Sequence, residues 1–181
     1  MVRVFVCLAV GWMVVCAATG VLGIARLEEP PQRHIVLGIF ALLLSCFIQV
    51  VVFTYFTVTG KMLAQALHLG HFDLQPLLEA KRLKRSTTRL LACATVSVLG
   101  VTVTGALHWR SRDVAAAHWL TAATVLIVHG WVFFVQHRLI AENSRLFDEV
   151  MREYGEAKGK GQQDPSRNRQ GADDREQAQR V

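Results

Sequence analysis

Residues 34–60 read HIVLGIFALLLSCFIQVVVFTYFTVTG, 27 positions without one Asp, Glu, Lys or Arg. As a helix rising about 1.5 Å per residue, such a stretch covers about 40 Å, more than the roughly 30 Å of a bilayer's hydrocarbon core. A surface helix of a soluble protein keeps one polar face, whereas here apolar side chains surround the axis. The stretch therefore reads as a membrane-spanning helix. Residues 4–25, 90–109 and 114–137 are equally free of those four residue types. Each reaches or approaches the roughly 20 residues a spanning helix needs. They are built from Leu, Val, Ala, Gly, Phe and Thr without the period-2 alternation of a membrane β-barrel, so the spans are helical.

The chain as a whole is 52% hydrophobic and yet carries 20 Lys and Arg among its 181 residues, with a net charge of +6. Its mean hydropathy is +0.31. These facts are compatible because charge and apolar residues alternate in blocks along the sequence. The connection 61–89 holds six Lys and Arg and the segment from Arg138 onward holds nine, whereas 26–33 and 110–113 together hold four. Basic residues concentrate on the cytoplasmic side of membrane proteins, which predicts a plasma (inner) membrane protein with both termini inside. The positive charge thus follows from topology and the lipid bilayer is the first partner. No nucleic-acid partner is needed to account for it. Lys81, Arg82, Lys84 and Arg85 fall beside the inner leaflet, where they meet anionic head groups. Arg3 followed by an apolar run ending Gly23-Ile24-Ala25 loosely resembles a secretory signal. The run of 22 residues exceeds the roughly 7–15 of a signal core, so the first span reads as retained.

Two spans run on past the membrane. After residue 60, apolar residues continue at helical spacing through Met62, Leu63, Ala66 and Leu67 to Gly70, a C-cap residue. Asp73 then reads as an N-cap with Pro76 in the first turn, opening a helix that leads through Leu77, Leu78 and Leu83 into the third span. Beyond His137, the positions Ile140, Asn143, Phe147, Val150, Met151 and Tyr154 recur at three- and four-residue steps between charges, an amphipathic stripe. The expected fold class is all-α: a four-helix transmembrane bundle over 1–137, including a cytoplasmic hairpin at 61–89. An amphipathic cytoplasmic helix follows over 138–155, so that the extended helices form a stalk. After Gly155 the composition is polar and nearly free of apolar residues, and 156–181 are expected to be a disordered tail.

No motif specifies a reaction. Thr59-Gly60-Lys61-Met62 lacks the first Gly and the hydroxyl residue of a phosphate-binding loop and follows a helix instead of a strand. The spans contain no Asp or Glu, which argues against a carrier built on intramembrane carboxylates. Cys7, Cys16, Cys46 and Cys93 all lie within spans and form no C-x-x-C pair, so they read as small packing residues.

Histidine remains. His34, His108 and His118 fall at the outer ends of the second, third and fourth spans, and His129 near the middle of the fourth. An ionisable group inside a membrane is a functional candidate by default. His34 and His118 each open a helix running from outside to inside, hence share a depth. Their surroundings also echo each other: Thr19-Gly20-x-Leu22 and Arg26 precede His34, and Thr104-Gly105-x-Leu107 and Arg110 precede His118. This suggests a parallel repeat of two hairpins. In an up-down-up-down bundle the second and fourth helices are diagonal, so the two imidazoles are candidate ligands for a b-type haem. His129, three turns below His118, is the third candidate cofactor contact. Its depth matches Ser45 to Gln49, so a hydrogen bond to one of these is its plain structural role. His34, His108 and His118 together form a candidate metal set.

Three functions fit this pattern. The first is a small non-catalytic subunit or scaffold that presents its stalk, through 138–155, to other membrane or cytoplasmic proteins. The second is a membrane cytochrome whose haem b exchanges electrons with quinone. The third, a pore lined by Gln49, Ser97 and His129, lacks the charged ring such pores use.

Overall fold

The four charge-free stretches become four helices in the computed structural model, which describes residues 1–25, 32–70, 73–108 and 115–162. They are α1 (Val2–Ala25), α2 (Gln32–Gly70), α3 (Gln75–His108) and α4 (Ala115–Gln162). All four are long and apolar enough to cross a membrane. α2 has 39 residues and α4 has 48, lengths of about 58 and 72 Å, so both outrun a single bilayer crossing. The side chains that point outward support the same reading. Val10, Val14, Val21, Leu43, Val50, Val96, Leu120, Ile127 and Phe134 are all exposed. Large contiguous apolar surface is rare on a soluble monomer and is ordinary where lipid covers it.

At the start of α3 the Asp73 carboxylate accepts the Gln75 N–H at 3.2 Å. Pro76 sits in the first turn, where its missing N–H costs nothing. α4 ends later than its sequence suggests. Instead of stopping at Gly155 it continues through the strong helix formers Glu156, Ala157 and Lys158 and past Gly159 and Gly161 to Gln162. The rest of the expected tail, 163–181, and the connections 26–31 and 109–114 lie outside the described residues.

The cross-section is a rhombus. α2 and α4 meet directly across its short diagonal, α1 and α3 each pack against both of them, and α1 and α3 scarcely meet. The central pair is parallel and interlocks at coiled-coil spacing. Buried positions along the α2 seam include Ser45, Ile48, Val52, Phe56, Thr59, Leu63 and Ala66, with Gln49 and Leu67 beside them; on α4 they include Val125, His129, Val132, Gln136, Ile140 and Asn143, with Phe133 beside them and Val150 two turns further on. Steps of three and four that average 3.5 residues keep one seam facing the partner along a left-handed supercoil. α1 adds Phe5 and Trp12, seven residues apart, and α3 adds Ala80, Leu83, Thr87, Ala94 and Val98. Beyond the apolar windows the seam continues as a second cluster. There Val150 of α4 joins Leu63, Ala66 and Leu67 of α2 and Ala80 of α3, with Leu77, Leu146, Met151 and Tyr154 around them. The amphipathic stripe of α4 is thus covered by the chain's own α2–α3 hairpin.

Trp12 fixes α1 to the central pair. It is 1% exposed, donates its indole N–H to the Ala41 carbonyl at 2.9 Å, and meets Phe133 edge-on at 5.5 Å. Trp131, by contrast, is 57% exposed on the outer face of α4. Trp12→Ala is therefore expected to lower stability by about 3–5 kcal/mol, read as the midpoint of unfolding in mixed micelles of rising denaturing-detergent content. Trp131→Ala should shift it by no more than about 0.5 kcal/mol.

Candidate functional site

Of the buried polar side chains, Ser45, Gln49, Thr59, His129, Gln136 and Asn143 are collected on the α2–α4 seam in layers, and Thr87 lies on α3. Ser45 meets His129 at 3.1 Å, Gln136 donates its amide to Gln49 at 2.8 Å, and Asn143 donates to Thr59 at 3.0 Å. Tyr55 and Ser144 share a hydroxyl bond of 2.7 Å beside the last of these. The bonded positions differ by 84, 87, 84 and 89 residues. His34 and His118, also 84 apart, face each other at the end of the seam where α2 and α4 begin, their ring centres 6.2 Å apart and their planes at 81°. Three of the five pairs thus share an offset of 84, and the other two depart from it by three and five residues, about one turn, as long side chains on two parallel helices allow.

His129 occupies the middle layer and is fully buried. All four helices contribute to its surroundings. Trp12 of α1 stacks on it with centroids 4.4 Å apart and planes 16° from parallel. Its Nδ1 lies 3.2 Å from the Val125 carbonyl and 3.5 Å from the Ser97 hydroxyl of α3. A carbonyl only accepts, so Nδ1 carries the proton and Nε2 accepts from the Ser45 hydroxyl. Both ring nitrogens are used. His129 is thus a satisfied core residue whose plain role, bonding to Ser45, matches its depth, and it lies about 16 Å along the axis from His118, eleven residues at 1.5 Å each. It does not join the His34–His118 pair.

That pair is built differently. The Nδ1 of His34 bonds the Thr19 carbonyl at 3.0 Å, which by the same logic places the proton on Nδ1 and leaves the Nε2 lone pair uncommitted by that bond. Each imidazole lies against a glycine of the preceding helix. A Cβ added at Gly23 of α1 would stand 3.0 Å from Cε1 of His34 and 3.0 Å from the Trp119 ring. A Cβ at Gly105 of α3 would stand 3.0 Å from Cε1 of His118, 3.3 Å from its Nδ1 and 3.9 Å from its Nε2. In both hairpins the Nδ1–Cε1 edge is turned toward the glycine. Gly38 of α2, four residues after His34, behaves otherwise: a Cβ there meets nothing within 4 Å.

The candidate metal set of His34, His108 and His118 is only partly visible, since the side chain of His108 lies outside the described residues. Among the described residues no three His, Cys, Asp or Glu groups converge. Residue type alone does not reveal Gln136, the Thr59–Asn143 bond, or the closeness of Gly23 and Gly105 to the rings. The signal for Gln136 and Asn143 was present, because His129, Gln136, Asn143 and Val150 recur every seven residues.

Gly23→Leu and Gly105→Leu should each overpack a histidine ring and destabilise the fold by about 1–3 kcal/mol. Gly38→Leu, with open space at Cβ, should lie near neutral in the same detergent titration.

Comparisons with protein-family models, with curated proteins and with solved structures each find no match.

Proposed function

We propose that this chain is a membrane cytochrome that holds haem b between His34 and His118 and passes electrons to or from a lipid-soluble carrier of the quinone class. The observation that carries the reading is the 6.2 Å between the two ring centres. Two imidazoles at that separation on facing helices would suit ligation of one haem iron by both rings. Three further features support it. The imidazoles come from helices at opposite corners of the short diagonal, so they approach a plane between them from its two faces. The Thr19 carbonyl orients His34 in the way that carbonyl partners commonly fix a ligating imidazole. Along the long diagonal α1 and α3 scarcely meet, and a planar group held by the two histidines would lie between them. When bound, haem supplies one-electron chemistry. The protein's part would be to hold the iron through His34 and His118, whose rings Gly23 and Gly105 back, and to set the polarity around it.

With the basic connections on the cytoplasmic side, this pair lies toward the outer face of the inner membrane. The Tyr55–Ser144 hydroxyl pair is 21 residues further along α2, about 31 Å by helical rise. A carrier that exchanges electrons with the haem therefore docks on the outer half of the bundle and not at Tyr55.

The non-catalytic scaffold is the second reading, favoured by the length of α4, which carries Arg145, Asp148, Glu149 and Arg152 outward beyond the apolar window. Because the apolar stripe is occupied by Leu63, Leu67 and Ala80, a partner would have to be recognised by that charged outer face. One spectrum separates the two. Detergent-purified protein expressed with haem available should show a Soret band and, after dithionite, sharpened α and β bands. His34→Ala or His118→Ala should reduce haem content at least tenfold, and His68→Ala should leave it unchanged. A colourless wild-type protein would overturn the cytochrome reading and leave the scaffold.

A further inference from the structure

Gln49 and Gln136 sit at mid-seam, 2% and 0% exposed. Two primary amides side by side have two bonds to offer each other. Here only one forms, from the Gln136 amide nitrogen to the Gln49 oxygen at 2.8 Å. The remaining Nε2 of Gln49 and Oε1 of Gln136 are buried and have no hydrogen-bond partner within the protein. The leftover groups are complementary, a donor on one amide and an acceptor on the other. An unpaired polar group in an apolar interior costs about 1–3 kcal/mol, and hydrocarbon offers no compensation. A direct second bond between the amides, or replacement by apolar residues, would remove that cost. Retaining one bond and two open groups fits a third participant that accepts from nitrogen and donates to oxygen.

We infer that the Gln49–Gln136 layer is a binding site for a single internal water molecule, which accepts from Gln49 Nε2 and donates to Gln136 Oε1. Water is the smallest molecule carrying both functions, and buried waters characteristically bridge polar groups that the chain leaves open. The surroundings suit a resident molecule more than a file of water. On one side the His129–Ser45 pair is satisfied within the protein. On the other, Val52, Phe56 and Ile140 are all at most 2% exposed and separate this layer from Thr59 and Asn143. The site is thus an isolated polar compartment in the seam. It stands independently of the haem reading, since His34 is 15 residues away along α2, about 22 Å by helical rise.

The test is proton-detected solid-state NMR on the full wild-type chain in lipid bilayers, with labelled glutamine and tryptophan side chains. The Gln49 amide protons are expected to show a direct dipolar contact to a water proton that survives at short mixing times. The Trp12 indole N–H, bonded to the Ala41 carbonyl, should show none. In the paired variant Gln49→Leu/Gln136→Leu the remaining glutamine signals should lose no intensity, and bound water at this depth should vanish. Mutual contacts between both amides with no water contact would overturn the inference, because the two groups would then satisfy each other. A water contact at Trp12 as strong as at Gln49 would overturn it as well, since the hydration would then be general.

Discussion

The α2–α4 contact is the constraint on which the rest of the structure depends. In lipid the hydrophobic effect does not drive helices together, because the tails are as apolar as leucine. Two apolar helices in a bilayer are free to slide and rotate at little cost. Side-chain hydrogen bonds between them remove that freedom, since an amide or imidazole displaced by one turn loses its partner in a medium that supplies no other. Individual bonds of this kind are modest, about 0.6 kcal/mol on average and up to about 1.7 kcal/mol. Their effect here lies in agreement. Ser45–His129 and Asn143–Thr59 demand the same offset of 84, and the offset also brings His34 opposite His118.

From that register the remaining features follow. α1 and α3 need only cover the sides of the seam, and each buries a narrow stripe while turning most of its surface outward. Trp12 and Ser97 close the His129 layer from opposite sides. Gly23 and Gly105 let α1 and α3 approach the two histidine rings at the end of the bundle. The layers then differ in what they leave available. His129 has both nitrogens committed, the Gln49–Gln136 amides have one donor and one acceptor open, and the Nδ1 bond of His34 to a carbonyl leaves Nε2 available to ligate a metal. A candidate site therefore stands at the end of the seam while the middle is structural.

Much of this was legible in the sequence, and for physical reasons. Charge-free stretches of sufficient length report spans because charge is costly in hydrocarbon. His34 and His118 could be paired on depth alone, and Ser45 to Gln49 could be matched to His129 by counting turns. Helix rotation was not legible, since composition that is apolar all round gives no moment to orient it. For that reason composition does not tell Gly38, which nothing approaches, from Gly23 and Gly105, which make the close contacts. Asn143 reads in the sequence only as a member of an amphipathic stripe, although it bonds the opposite helix, as Tyr55 also does. Thr57 and Thr59 do donate to their own helix. Seven-residue recurrence of polar residues was the available cue, because in a supercoiled seam that spacing returns to one face.

The register itself is open to direct measurement by short-span thiol cross-linking in native membranes, in a chain whose four cysteines are replaced by alanine. Ser45→Cys would be combined in turn with cysteine at each position from 125 to 132 on α4. Efficient linkage at 129, weaker linkage at 125 and 132, and none at the outward positions 127 and 131 is the pattern this packing requires. A maximum displaced by a full turn, or equal linkage at 127 and 129, would contradict the parallel, fixed α2–α4 seam and with it the pairing of His34 with His118.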